Sequence, residues 1–281
     1  MRHFIASDGA RIAYRDEGAG RPLVLLHGLM AHSGFFRAQR ELVSDFRIVS
    51  IDLRGHGASR AAGGALTVEQ LAGDVAGIAE ALDLEGAVGI GWSLGASVLW
   101  HMLAGRGGER FEGAVVVDMT PRVMNGGDWE LGLSSEACEA RSLAMAEDFA
   151  TFAAGAGQAI FSQPIDAARR DDADWASFEF ARNDPAKIGR VWASLMDQDF
   201  RPSLGRIRQP TLIVHGAHSH LYDAATAEHL ARLLPNAEIV RFADSGHAPH
   251  IEEPEKFNEA IRAFADRLDC TPHRQASQIS I

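Results

Sequence analysis

The sequence predicts an α/β fold, in which a mostly parallel sheet carries helices on both faces and a helical cap is inserted. Two observations predict it. Short apolar runs typical of doubly buried strands alternate with stretches of helical periodicity. From residue 122 to 208 no convincing strand is visible, and this stretch is rich in Ala, Asp and Arg. We therefore expect a core formed by residues 1–121 and 209–269, a helical cap formed by 122–208, and a disordered tail at 270–281.

The predicted strands begin with a hairpin. Residues 2–6 and 11–16 are joined by Asp8-Gly9, a dipeptide typical of tight turns. The later strands are mainly apolar, as expected for strands that are buried on both faces. They are residues 23–26, 46–51, 86–90, 113–118, 211–215 and 238–242.

The predicted helices lie between and after these strands. They are residues 34–44, 67–82, 94–105, 223–233 and 254–268. Thr67-Val68-Glu69-Gln70 is a plausible capping box at the start of one of them. Inside the cap, Asp184-Pro185 predicts a helix start, with the aspartate as N-cap and the proline at the first helical position.

The composition limits the partners of the protein. Its 281 residues carry a formal net charge of -11, which counts against nucleic acid and anionic membrane surfaces because both need a basic footprint. No stretch approaches the roughly 18 apolar residues of a membrane span, so we expect a cytoplasmic protein without a membrane partner. Cys138 and Cys270 are the only cysteines, and we expect free thiols. The oligomeric state stays open.

The strongest functional signal is Gly91-Trp92-Ser93-Leu94-Gly95. It follows a predicted buried strand and opens a predicted helix. Its glycines permit a strand-to-helix turn too tight for side chains, and such a turn presents the serine hydroxyl at the end of the strand. The alternative is a plain glycine-rich turn with a surface serine. The strand before the motif and the helix after it favour a nucleophile.

Three further motifs follow predicted strands. They are His27-Gly28-Leu29, the loop Asp-Leu-Arg-Gly-His-Gly-Ala-Ser at 52–59, and Ser245-Gly246-His247-Ala248-Pro249. Together with the serine motif, and in this order, they resemble the α/β-hydrolase family over nearly the whole chain. The resemblance implies a serine hydrolase. Its ligand would bind at the carboxyl edge of the sheet, as in other open α/β sheets.

The resemblance implies a role for each motif. Ser93 would be the nucleophile and His247 its base, because a hydroxyl is a poor nucleophile until an imidazole takes its proton. The backbone amides of Leu29 and Leu94 would bind the oxyanion of the tetrahedral intermediate. His27 and His56 would organise turns. No cofactor is needed for this chemistry.

The acid of the triad departs from the family pattern. The family usually keeps it three residues after the glycine that ends Ile213–Gly216, and that position is Ser219. A serine cannot hold the imidazolium charge as an anion can, so another acid should serve. Some family members carry the acid at the end of the preceding strand, which is Asp118 here. We expect Asp118, with Asp223 and Asp244 as alternatives.

Two more residue groups allow alternative interpretations. Five histidines could be metal ligands, namely His215, His218, His220, His247 and His250. Their spacing matches no common zinc pattern and no acidic cluster accompanies them, so we expect no metal. Seven aromatic residues and one methionine could line an apolar pocket for an acyl chain, although residues of these types more often belong to the core. They are Trp92, Phe35, Phe36, Met119, Trp129, Phe180, Trp175 and Trp192.

These observations predict hydrolysis of a small carboxylic ester through an acyl-enzyme. Lactone hydrolysis, carbon–carbon bond hydrolysis and perhydrolysis would use the same residues and stay open as alternatives. A dehalogenase or epoxide hydrolase would need an aspartate where Ser93 stands. A ligand-binding protein with little turnover is a further alternative, against which the intact nucleophile and base count. The expected partner is a small ester or lactone.

Overall fold

The computed structural model describes residues 1–105 and 107–269, so the predicted tail at 270–281 lies outside the described residues. Within the described part, eight strands form one sheet in the spatial order β1-β2-β4-β3-β5-β6-β7-β8. The strands are β1 (Arg2–Ile5), β2 (Arg11–Glu17), β3 (Pro22–Leu26), β4 (Arg47–Ile51), β5 (Ala87–Trp92), β6 (Phe111–Val117), β7 (Thr211–Gly216) and β8 (Ala237–Phe242). The β1–β2 and β2–β4 pairs are antiparallel and all other pairs are parallel. The predicted fold class is confirmed.

Ten α-helices accompany the sheet in the described residues. They are α1 (Val68–Ala81), α2 (Leu94–Ala104), α3 (Ser135–Glu147), α4 (Phe149–Ala159), α5 (Arg170–Ala181), α6 (Pro185–Met196), α7 (Arg201–Leu204), α8 (Ala224–Leu233), α9 (Pro249–Glu252) and α10 (Pro254–Asp269). None of them is long and apolar enough to cross a membrane.

Two glycines show that helices cover both faces of the sheet. A Cβ on Gly89 would meet Leu99 of α2, and a Cβ on Gly113 would meet Leu268 of α10. Gly89 pairs with Ala114 across the sheet, so Gly113 belongs to the opposite face. The helices α2 and α10 therefore pack on opposite sides of the central strands, where side chains larger than hydrogen would not fit.

Most predicted elements match the structure, with strand ends displaced by at most two residues. Residues 33–44 differ, because they form 3₁₀ turns with a break at Phe36 (φ -97°, ψ 26°) instead of a continuous α-helix. The two consecutive rings beside the break are both buried: Phe35 packs on Trp92 and Phe36 packs on His250.

The predicted helix starts are present with one correction. The Thr67 hydroxyl accepts from the amide of Gln70, but the Gln70 side chain donates to Asp74 instead of completing the capping box. Asp184 accepts from the amides of Ala186 and Lys187, with proline at the first helical position. Both caps supply acceptors for N-terminal amides that the helices themselves leave unsatisfied.

The five helices α3 to α7 lie between β6 and β7. Within this group α4 packs on α5, and α3 packs on both α4 and α6. Contacts of α6 with α1 and of α7 with α2 hold the group on the rest of the molecule. Because β6 and β7 are parallel neighbours, the chain leaves the sheet at its carboxyl edge and must return to the amino edge. We call α3 to α7 the inserted helices.

Candidate active site

Ser93 occupies a strained turn between β5 and α2. Its backbone has φ 52° and ψ -118°, a conformation that non-glycine residues rarely adopt. Glycines make the turn possible, since a Cβ on Gly95 would lie 2.1 Å from the carbonyl oxygen of Leu26. A Cβ on Gly91 would lie 2.5 Å from the carbonyl oxygen of Gly95. The side chain of Ser93 is thereby presented beyond the end of β5, where it lines a cavity.

The loop that carries His247 is fixed from three sides. A Cβ on Gly216 would lie 1.8 Å from the carbonyl oxygen of Gly246, so the loop lies directly on the end of β7. The indole Nε1 of Trp92 donates to the carbonyl oxygen of His247 at 2.8 Å. The Glu252 carboxylate accepts from the amide of Gly246 at 2.7 Å. Such backbone anchors hold the imidazole in one place.

Asp118 lies at the end of β6 and contacts the ring of His247. Its Oδ2 is 2.6 Å from Nδ1 of His247. The same oxygen accepts from the hydroxyl of Ser219 at 2.6 Å, and Oδ1 is 3.2 Å from Nδ1 of His215. Asp118 has φ 46°, so the backbone is strained here as it is at Ser93. Both carboxylate oxygens are therefore hydrogen-bonded in the interior.

The surroundings of Asp118 keep its carboxyl group ionised. Burial alone would raise its pKa, but hydrogen bonds from His215, His247 and Ser219 and the charge of His247 outweigh burial and lower the pKa below its usual value. Ser219, at the position where a carboxylate was expected, thus donates to the carboxylate on the neighbouring strand. The sequence identified this position as lacking an acid but did not reveal that its hydroxyl supports Asp118.

The alternative acids do not contact His247. Asp223 is exposed and caps α8, where it accepts from the amides of Ala225 and Thr226. Asp244 is also exposed, and its amide donates to Glu253. Of the three aspartates considered, only Asp118 is within hydrogen-bond distance of the imidazole.

In the turn after β3, the backbone amide of Leu29 points away from the carbonyl group of Gly28, which is held by hydrogen bonds. The Gly28 carbonyl oxygen lies 2.8 Å from Nδ1 of His27 and accepts from the amide of Ala31. Nε2 of His27 accepts from the amide of Leu53, so Nδ1 carries the proton. Because the Gly28–Leu29 peptide is planar and trans, the Leu29 N–H points opposite to that carbonyl. Leu29 lines the cavity that also contains Ser93 and His247.

Leu94 is the first residue of α2, directly after Ser93. The first amides of an α-helix have no intrahelical acceptor, and the helix dipole is positive there. The amide of Leu94 therefore lies at the positive end of the α2 dipole, directly after Ser93, which lines the cavity.

The cavity has a volume of about 100 Å³ and is partly open to solvent. Its wall is mostly apolar and combines the carboxyl edge of the sheet with the inserted helices. Apolar residues of the wall that the sequence had not identified include Leu133, Met145, Phe152, Ile160, Leu195 and Leu221.

The structure corrects the predicted pocket residues. Trp92, Phe180 and Trp192 line the cavity. Phe35 does not, because it packs behind the wall with its ring centroid 5.8 Å from Trp92 and 5.4 Å from Phe180. Met119 is buried directly after Asp118 and does not reach the cavity.

Three further aromatic residues predicted for the pocket are also outside it. Trp129 packs against His229 of α8 at a centroid distance of 5.0 Å, and its Nε1 donates to the carbonyl oxygen of Arg122. Phe36 packs against His250, and Trp175 packs against Phe35. The side of the wall on which an aromatic ring lies depends on packing between distant segments, which local periodicity does not encode.

We expect Phe180 to control the length of the acyl chain. It is buried in the cavity wall, and a shorter side chain should make room for about one or two methylene groups, each worth about 0.8 kcal/mol or roughly fourfold. Phe180→Leu should raise kcat/KM for p-nitrophenyl hexanoate relative to acetate by about 3- to 20-fold. Trp129→Phe, also buried but outside the cavity, is the matched control. Equal ratios in both variants would contradict a role of Phe180 in the pocket.

No group of three or more His, Cys, Asp or Glu side chains in residues 1–105 and 107–269 could hold a metal ion. Of the five histidines considered as ligands, His215 and His247 bond to Asp118. His250 is buried among Phe36, Trp92 and Phe257.

Three buried histidines around the site should make the fold sensitive to acid. Burial lowers the pKa of His27, that of His56 to about 4, and that of His250 to about 3. In the unfolded chain they would titrate near the ordinary value of about 6.5. Above that pH they are neutral in both states. As the pH falls below it, only the unfolded chain takes up protons, so stability is lost progressively until the folded pKa is reached.

At pH 5 each such histidine should lower the free energy of unfolding by about 2 kcal/mol. Urea unfolding at pH 7.5 and pH 5.0 measures the difference. His250→Leu removes one titrating ring whose two nitrogens have no hydrogen-bond partner among the described residues, so this variant should lose about 2 kcal/mol less than the wild type between the two pH values. His3→Leu is the exposed control and should leave the difference unchanged. An identical loss in wild type and His250→Leu would contradict the assignment.

Known proteins resemble this chain in sequence and in structure. A profile of the Alpha/beta hydrolase family matches residues 23–260. The pimeloyl-acyl-carrier-protein methyl ester esterase of Nitrosomonas europaea is 31% identical over 259 residues, which covers 91% of this chain and 100% of the relative.

Two solved esterase structures superpose on the chain. RhEst1 from Rhodococcus sp. is 28% identical with a TM-score of 0.82, covering 95% of this chain and 98% of that one. The esterase EaEST from Exiguobacterium antarcticum has a TM-score of 0.88 at 23% identity, covering 94% and 98%. The second likeness supports the fold alone.

Proposed function

The chain belongs to the alpha/beta hydrolase family, and we propose that it hydrolyses a small carboxylic ester through an acyl-enzyme intermediate. In this proposal Ser93 is the nucleophile, His247 the general base and Asp118 the acid that orients it. The amides of Leu29 and Leu94 form the oxyanion hole. The relatives described as esterases support the ester as the substrate class.

One observation carries the proposal. Asp118 Oδ2 lies 2.6 Å from Nδ1 of His247, while His247 and Ser93 line the same cavity. A carboxylate that accepts the Nδ1 proton leaves Nε2 free to accept a proton from a hydroxyl. A ring held only for packing would not need a buried, ionised carboxylate at one nitrogen, because burying that charge is costly unless it is paired.

The reaction follows from these groups. The Ser93 oxygen attacks the carbonyl carbon while its proton passes to Nε2 of His247. The carbonyl oxygen becomes negatively charged and accepts hydrogen bonds from the two backbone amides. When the carbon–oxygen bond to the alcohol breaks, His247 returns the proton to the leaving oxygen. A water molecule then attacks the acyl-enzyme by the same steps, releasing the acid and restoring Ser93.

The proposal is tested with a panel of p-nitrophenyl acetate, butyrate and hexanoate together with a γ-lactone and a δ-lactone. Ester turnover with an initial burst of p-nitrophenol would indicate an acyl-enzyme. Faster turnover of the lactones than of every ester would replace the ester by a lactone as the substrate class. No turnover of any member of the panel by folded protein would refute the proposal.

A further inference from the structure

One cationic side chain lies in the wall of the otherwise apolar cavity. Arg141, on α3, lines the cavity together with Ser93 and His247 and is only partly exposed. Apart from His247, it is the one lining residue with an ionisable basic group in the part of the chain that the structure describes. No pattern in the sequence pointed to Arg141, because an arginine in the predicted helical cap is most simply a solvent-facing residue.

Arg141 has no protein partner among residues 1–105 and 107–269. No carboxylate lies within ion-pair distance of its guanidinium, no hydrogen bond is made by it, and no aromatic ring stacks on it. Two nearby arginines are ion-paired: Arg182, directly after α5, bonds to Glu179, and Arg201, on α7, bonds to Asp199. A partly desolvated guanidinium with five donors is costly to leave without an acceptor.

A second unused donor faces the same cavity. Tyr222 lines it, and in the described part of the chain the hydroxyl of Tyr222 has no hydrogen-bond partner. The charge of Arg141 acts on this hydroxyl: burial and Asp118 raise the pKa of Tyr222, and Arg141 opposes them. The two side chains therefore belong to one part of the cavity, next to the residues around Asp118, since the amide of Tyr222 also donates to the hydroxyl of Ser219.

We propose that Arg141, assisted by the Tyr222 hydroxyl, binds a carboxylate on the substrate, so that the preferred substrate is an ester that also carries a free carboxylate. The inference rests on the proposed ester hydrolysis and names its substrate class. A carboxylate matches the planar guanidinium in a bidentate pair. A dianionic phosphate would bring two charges against one and leave the excess unpaired in an apolar cavity.

The test compares three methyl esters of nearly equal size. Monomethyl adipate is anionic, methyl hexanoate is neutral, and methyl 6-aminohexanoate is cationic at neutral pH. Wild-type kcat/KM for monomethyl adipate should exceed that for methyl hexanoate by about 10- to 100-fold, the effect of a charge-assisted hydrogen bond. The cationic ester should be the poorest substrate.

Variants of Arg141 should change this order. Arg141→Met should bring the ratio between anionic and neutral ester close to one, mainly through KM, because the carboxylate lies away from the reacting carbonyl. Arg141→Glu should favour the cationic over the anionic ester, since the charge is reversed. Arg182→Met, directly after α5 and outside this cavity, is the matched control and should keep the wild-type ratio. An anionic preference that survives in Arg141→Met, or equal rates for the anionic and neutral esters in wild type, would overturn the inference.

A binding measurement separates this inference from the proposed function. Ser93→Ala, which cannot form the acyl-enzyme, is titrated calorimetrically with monomethyl adipate, methyl hexanoate and hexyl phosphate. If Ser93→Ala binds monomethyl adipate most tightly, and the Ser93→Ala/Arg141→Met variant loses this preference, the inference is supported. This holds even if the wild type turns over none of the esters, because that result would overturn the proposed function alone. Tightest binding of hexyl phosphate, or equal binding of all three, would overturn the carboxylate assignment.

Discussion

Ser93→Ala should lower kcat for p-nitrophenyl butyrate by about 10⁴–10⁶-fold while the protein stays folded, because removing the nucleophile of a serine hydrolase leaves only the oxyanion hole and binding to act. KM should change little, since the hydroxyl contributes to bond formation more than to binding. The measurement is steady-state kinetics with purified variant, together with the urea midpoint. The side chain is partly exposed in the cavity, so its loss should cost little stability.

Ser97→Ala is the matched control. Ser97 lies one turn further along α2 and is fully buried, and within residues 1–105 and 107–269 its hydroxyl has no hydrogen-bond partner. Its loss should leave kcat within a few-fold of wild type. A fluorophosphonate should modify the peptide that contains Ser93 in wild type, as mass spectrometry can show, and should leave Ser93→Ala unmodified. Modification at another serine, or near-normal turnover by Ser93→Ala, would remove Ser93 from the mechanism.

The parts of the fold that could be predicted are those that local sequence encodes. Strands buried on both faces need continuous apolar runs, and these located the parallel strands to within two residues. The sharp turn at Ser93 could be predicted because only glycine fits at Gly91 and Gly95, where a Cβ would overlap backbone atoms. Where backbone sterics dictate the residue type, a single sequence is enough to predict the local structure.

The cavity wall could not be predicted in the same way. Phe35 and Phe180 are equally apolar and equally buried, yet only Phe180 lines the cavity. Phe180, on α5, forms part of the wall, while Phe35 packs behind it on the rings of Trp92 and Phe180. That Arg141 has no partner among the described residues could not be predicted either, because whether a charge has a partner depends on contacts between residues distant in sequence.

The role of Asp118 as the proposed acid could be predicted only in part from the sequence. The sequence showed that Ser219 is not a carboxylate and that Asp118 ends a neighbouring strand. It could not show that the Ser219 hydroxyl would reach Asp118, which requires the parallel pairing of β6 with β7. The hydroxyl, His215 and His247 together satisfy both oxygens of a carboxylate that is otherwise buried. Each of these donors lowers the cost of keeping the charge in the interior.

Removing the charge should therefore disable His247 without removing its neighbours. In Asp118→Asn, an amide group facing Nδ1 would donate a hydrogen bond to it and favour the tautomer with a proton on Nε2, which cannot accept from Ser93. We expect kcat to fall by about 10²–10⁴-fold, by analogy with the serine-protease aspartate. Asp223→Asn and Asp244→Asn are the controls, and each should cost about tenfold or less, because neither side chain touches His247.

The contact of Ser219 with Asp118 also allows a rescue experiment. Ser219→Asp placed in the Asp118→Asn variant returns a carboxylate within reach of the same space, since the Ser219 oxygen lies 2.6 Å from Asp118 Oδ2. It should restore kcat by about tenfold or more, because a carboxylate again stabilises the imidazolium. In the wild-type background the same substitution should lower kcat, since two adjacent carboxylates cannot both stay ionised at low cost. If Asp118→Asn stays active while Asp223→Asn or Asp244→Asn loses its turnover, the acid has been assigned to the wrong residue.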